Sequence, residues 1–171
     1  MSEPVRSGSA HFADASAALA ALASLVVKDG VMLGGLSAAH QAAVLGLAWC
    51  ALPEGVALRE SEVNAALKRC LAEECSFLDV DHVELRRWLV DAGWLTRDGF
   101  GREYRRVAAG ALAPECARIA TALGGFHPPR WVASVRAATA AQRDARRQAW
   151  EALQADGKLG AGKGGTGKGA T

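Results

Sequence analysis

The chain has 171 residues, 50% hydrophobic and 22% charged, with a formal net charge of +2. That is ample for one packed domain with appendages, and a charge so near zero gives no general case for a polyanion partner. The four cysteines include no C-x-x-C pair, no apolar run approaches the ~20 residues of a membrane span, and no leader pattern opens the chain, so a cytoplasmic, reducing setting with no disulfide scaffold and no membrane partner is expected.

Residues 1–12 are polar, and a flexible N-terminus is expected there. Leu19, Leu22, Leu25 and Val26 recur at helical spacing, which predicts an amphipathic helix over 13–29 with Asp14 or Ser16 as its cap. Val31-Met32-Leu33 reads as a short strand closed by Gly34-Gly35. Ser37 opens a second helix that ends near Leu52, before Pro53. Val56 to Leu58 is extended, and a third helix covers about Glu60 to Glu73 with Val63, Ala66, Leu67, Cys70 and Leu71 as its buried stripe.

Asp81 caps a fourth helix, with Glu84 placed three positions on as in a capping box. Leu85, Trp88, Leu89 and Ala92 line one side, and Gly93 is the stop. Trp94–Arg97 and Arg102–Val107 form a hairpin about the turn Asp98-Gly99-Phe100-Gly101. Pro114 begins a helix over 114–123, and Gly124-Gly125 and Pro128-Pro129 break the chain. An Arg-rich helix follows from about Arg130 to Asp156, and the Gly/Lys-rich tail over 157–171 has the composition of a disordered segment.

The fold class that follows is mainly α with a small β-hairpin wing: a winged helix-turn-helix-like core over 30–110, flanked by an N-terminal helix (13–29) and a C-terminal helical extension (111–156). Helix, helix and hairpin in that order is how a winged helix-turn-helix is written.

The residues from Asp29 to Val107 resemble the bacterial family catalogued as domain of unknown function 2087. The resemblance lies in Asp29-Gly30, in Glu62-Val63-Asn64 with Leu67-Lys68-Arg69, and in Asp81-His82-Val83-Glu84-Leu85-Arg86-Arg87. It continues through Leu89-Val90-Asp91, Leu95, Arg97, Gly101, Tyr104 and Arg105. It implies a winged-helix-like domain that often accompanies transcription regulators. This chain departs from the pattern at Leu58, where an aromatic is usual, at Arg59, where a Ser/Thr cap is common, and in a longer link from Ala72 to Asp79.

On a helical projection Arg86 and Arg87 lie opposite the apolar arc of the fourth helix, with His82 at its flank and Val83 and Val90 beside them. Arginine suits phosphates and guanine edges because its planar fork donates parallel hydrogen bonds. Arg97, Arg102, Arg105 and Arg106 place further cations on the wing. Two readings stay open. In the first, His82, Arg86, Arg87, Arg97, Arg102, Arg105 and Arg106 bind double-stranded DNA and the chain is a non-enzymatic transcription regulator. In the second, the same fold docks another protein and binds no nucleic acid. The first is the leading reading; against it, Arg87 and Asp91 are spaced to pair, residues 79–107 carry six basic and six acidic groups, and the N- or C-terminal helix is available to cover Val83 and Val90.

No catalytic, metal or cofactor site is expected. The run Gly162 to Gly169 looks like a phosphate loop but has Gly169 where Ser or Thr must hold Mg²⁺. Cys70 and Cys75 lack a zinc spacing, His40, His82 and His127 are scattered, and no G-x-S-x-G elbow occurs. Residues 126–171 carry eight basic and three acidic groups, and the C-terminal helix is expected to pack or to pair two chains as a homodimer. A thiol sensor, with Cys75 as its least buried cysteine, is a third possibility.

Overall fold

The computed structural model describes residues 13–125 and 127–160. Six α-helices and three short strands follow one another as α1 (Ala15–Val26), α2 (Ala38–Cys50), β1 (Ala57–Arg59), α3 (Glu60–Ala72), α4 (His82–Asp91), β2 (Leu95–Arg97), β3 (Glu103–Arg106), α5 (Pro114–Gly124) and α6 (Pro128–Gly160). The chain divides into a unit ending at Val135 and a second beginning at Arg136. The flexible N-terminus expected over 1–12 and the tail from 161 lie outside the described residues. Gly157 to Gly160, read from composition as part of the disordered tail, continue α6.

Helix α2 is the centre of the first unit. Val44, Leu45, Leu47, Ala48 and Trp49 are all buried, and a helix apolar on every side must be surrounded. Helices α1, α4 and α5 pack against it. Ser37 caps it, its Oγ accepting the His40 amide at 3.4 Å and meeting His40 Nδ1 at 2.7 Å. Asp14 caps α1 by accepting the Ala17 amide at 2.8 Å. Gly46 is there because α5 comes so close: a Cβ at this position would sit 2.7 Å from Ile119 Cγ2 and 3.1 Å from Trp94 Cη2.

The sheet has the order β1-β3-β2, so the wing is three-stranded where the sequence shows only a hairpin. Leu58 of β1 stands opposite Tyr104, and Arg97 of β2 stands opposite the same Tyr104 from the other side. Arg59 begins α3 in place of a Ser/Thr cap; a guanidinium cannot accept a hydrogen bond, and only the return half of a capping box forms, with Glu62 Oε2 accepting the Arg59 amide at 2.7 Å.

Two local expectations need correction. Val31-Met32-Leu33 is not a strand: Val31 makes one parallel bridge to Leu78, and Leu33–Gly35 turn as a 3₁₀ helix. Pro128 and Pro129 do not break the chain but start α6, because amides in the first helical turn have no intrahelical acceptor to lose.

Candidate nucleic-acid interface

Helix α4 is held by both its ends and its inner face. Asp81 Oδ1 accepts the amides of Val83 and Glu84, each at 2.8 Å, and the Glu84 amide above all keeps this carboxyl below its usual range. Gly93, at φ +76°, ends the helix. Leu85 and Leu89 are buried. The opposite face is open: Val83 is 41% exposed, Arg87 and Asp91 are exposed and Val90 is half-buried; Trp88 and His82 flank the buried side, half-buried, and Ala92, expected on that side, is exposed. The Arg87–Asp91 pair that the spacing allows does not form; among the described residues no carboxylate lies within ion-pair distance of Arg87.

A groove of about 230 Å³ runs between this face and the wing, bordered by Val83, Arg87, Val90 and Asp91 on α4 and by Arg97 on β2. Arg86 and the buried Tyr104 also line it. Arg86 does not stand out beside Arg87. Its side chain is 13% exposed, with Nη1 2.8 Å from Glu60 Oε1. The same nitrogen donates to Asn64 Oδ1, and the guanidinium lies over the Tyr104 ring, 5.4 Å from its centroid. It ties α3, α4 and β3 together.

Alternation along β3 separates the wing arginines. Tyr104 and Arg106 share the inward face, so Arg106 stacks on Trp49 at 3.5 Å, donates to the Leu52 carbonyl at 2.7 Å and is 14% exposed in its side chain. Arg105 stands opposite Ala57 and Thr96 on the outer face and donates twice to Glu103 Oε1, at 3.0 and 2.7 Å. Arg97 shares the inward side with Tyr104 but emerges, exposed, at the groove. Arg102 sits at the turn with its guanidinium 5.8 Å from the ring centre of the exposed Phe100. Asp98 shapes that turn by accepting the Arg102 and Glu103 amides at 2.7 and 3.0 Å.

Of the residues the sequence singles out, the fold therefore brings Arg87 and Arg97 to one groove and leaves Arg102 exposed at the wing turn. Arg86 and Arg106 are engaged inside the unit, Arg105 is paired on the far face, and His82 opens α4. Among the described residues, none of Arg87, Arg97 and Arg102 has a carboxylate within ion-pair distance. The inward position of Arg106 is a signal that alternation from the aromatic Tyr104 carries.

The second unit carries the Arg-rich helix that the sequence already marks. At about 100° per residue, Arg136, Arg143, Arg146 and Arg147 fall within one arc of roughly 100° centred near Trp150, opposite an arc of alanines. Trp150 and Leu153 are 63% and 67% exposed. Arg147 pairs with Asp144 at 3.0 Å.

The cysteine expectation is corrected. Cys75 is the most buried of the four, at 0% exposure, beside Cys70 at 1%, while Cys50 and Cys116 are half-buried. Among the described residues, no group of three His, Cys, Asp or Glu side chains is placed to hold a metal ion. No helix among them is long and apolar enough to cross a membrane.

Residues 37–106 match the family model described as an uncharacterized protein conserved in bacteria (DUF2087). The match runs from the cap of α2 to the end of β3, and the resemblance read from the sequence stands over those residues. No curated protein matches the chain, and no solved structure does.

Proposed function

We propose that Arg87 and Arg97 in the groove between α4 and the wing, together with Arg102 at the wing turn, hold the phosphate backbone of a DNA duplex, and that the chain is a non-enzymatic DNA-binding regulator. The observation that supports this most is the convergence of Arg87 and Arg97, two exposed arginines without a carboxylate partner among the described residues, from a helix and a strand onto one groove. An α-helix fits the major groove, and a hairpin beside it reaches the adjoining backbone. Three accessible cations mean few released counterions, hence weak and salt-sensitive binding. Pairing of two chains through α6 would double the contacts and belongs to the same reading.

A fluorescence-anisotropy titration of the full chain on a random duplex at low ionic strength tests it. Saturation below about 100 μM is expected, the usual ceiling of non-specific affinity. Unchanged anisotropy at that concentration contradicts it.

One observation favours protein docking instead. Val83 is 41% exposed, and it lies with Trp88 and Arg87 among Asp81, Glu84 and Asp91 along a second depression on α4, where acids outnumber the one cation. Apolar and acidic groups are poor company for phosphates. Val83→Lys separates the readings: it tightens duplex binding if phosphates lie there and leaves it unmoved if a protein does.

A further inference from the structure

We infer that Cys70 and Cys75 form a two-thiol site that reduces low-molecular-weight disulfides and closes as an intrachain disulfide between α3 and the turn that follows it. Their Sγ atoms are 3.0 Å apart, so a bond of about 2.05 Å needs a small side-chain movement only. The backbone holds them there independently: the Cys75 amide donates to the Cys70 carbonyl at 2.8 Å, across the end of α3. An apolar contact at such a helix end is ordinary, and two alanines or leucines would serve that purpose alone.

What distinguishes this end is the space beside it. A cavity of about 380 Å³ is lined by Cys70, Cys50, Arg69, Glu74 and His127, among others. Cys70 lies in the wall of that space, only 1% exposed, so a small disulfide reaches its sulfur only as the wall yields, and Cys75, 0% exposed, stands behind it as the resolving thiol. Glu74 is the buried carboxylate among the described residues, 5% exposed, and interacts with the Cys70 thiol. The contact with Cys75, and then burial, hold the Cys70 thiol strongly protonated, and burial raises Cys50 to about 11. Both stay thiols until a reagent occupies the cavity, so exchange is slow.

The chemistry balances without further co-reactants. Cys70 Sγ gives its proton to Glu74 and attacks one sulfur of the reagent; the reagent's S–S bond breaks and one thiolate leaves, taking up a proton. Cys75 Sγ then attacks Cys70 Sγ, the Cys70–reagent S–S bond breaks, and the departing small thiolate takes up the proton that Cys75 gives up. Two electrons pass from the cysteine pair to the reagent, which ends as two thiols.

The test incubates the folded full-length protein with oxidised glutathione, quenches with acid and alkylates before intact-mass and peptide analysis. The wild-type chain is expected to lose about 2 Da, two hydrogens, with the bridge inside the peptide that holds Cys70 and Cys75, and to recover its mass on reduction. Cys75→Ala is expected to stop at one glutathione adduct on Cys70. Four alkylated thiols in the wild type, an adduct that persists there unresolved, or a bridge through Cys50 or Cys116 overturns the assignment. The wild-type measurement decides even if the variant does not fold.

Discussion

The Arg86 guanidinium lies over the Tyr104 ring at 5.4 Å while its Nη1 meets Glu60 at 2.8 Å. One side chain thus joins the helix pair to the wing. Glu60 is half exposed, so water screens the Coulomb component, and stacking with the Asn64 hydrogen bond carries the rest. Arg86→Ala should cost about 1–3 kcal/mol, from a charge-assisted hydrogen bond and a partly desolvated cation–π contact. Urea unfolding monitored by circular dichroism reads this. A midpoint equal to wild type would place Arg86 outside the fold's support.

Gly46 offers the opposite lesson in helix energetics. Alanine is preferred to glycine in a helix by about 1 kcal/mol, yet its methyl here would meet Ile119 Cγ2 at 2.7 Å, Trp94 Cη2 at 3.1 Å and Leu123 Cδ1 at 3.2 Å. Overpacking of this kind costs typically 1–3 kcal/mol. Gly46→Ala is expected to lower the melting temperature, and a rise would show that α5 yields easily.

Glu74 is expected to make stability depend on pH. Burial raises its folded carboxyl above the ordinary 4.5, so the native state holds this proton more tightly than the unfolded chain does. Its penalty is absent below the unfolded value and grows as pH rises through the folded one. Glu74→Gln should therefore be more stable than wild type near neutrality, the gain shrinking as pH falls toward about 4.5 and vanishing below it. Parallel unfolding titrations from neutral to acidic pH follow the difference. A constant difference across that range would exclude this linkage.

Arg105 lies on the outer sheet face, in contact with Glu103, and the groove lies on the other. Arg105→Ala should leave duplex affinity and stability within the few tenths of a kcal/mol typical of surface changes. Anisotropy titration and thermal melting together check it, and a tenfold weaker complex would mean that the outer face takes part in binding.

The sequence was most legible where signals are local. Asp14, Ser37 and Asp81 cap where capping chemistry places them, and Pro114 and Gly93 punctuate as expected. Strand β1 joins the sheet as a third strand by pairing Ala57–Arg59 with residues more than forty positions away, and three residues carry no local mark of that. Arg86 shows the same limit in the candidate site. A helical projection puts it beside Arg87 on the outer side, but the projection contains no Tyr104 to cover it. The Arg105–Arg106 division was legible in part, since strand period alone assigns neighbours to opposite faces; which face was inward needed Leu58 and Leu95 around Tyr104 and Arg106.

On the proposed reading, Arg87 and Arg97 neutralise phosphates from one groove. The most direct measurement is the slope of log affinity against log salt for the full chain and for Arg87→Ala/Arg97→Ala on the same duplex. Each lost phosphate contact reduces the slope by about 1, so the double variant should be shallower by about 2, with an unchanged melting temperature. Equal slopes for the two proteins, or a slope that responds only to substitution of Arg143 and Arg146 on α6, would contradict the account.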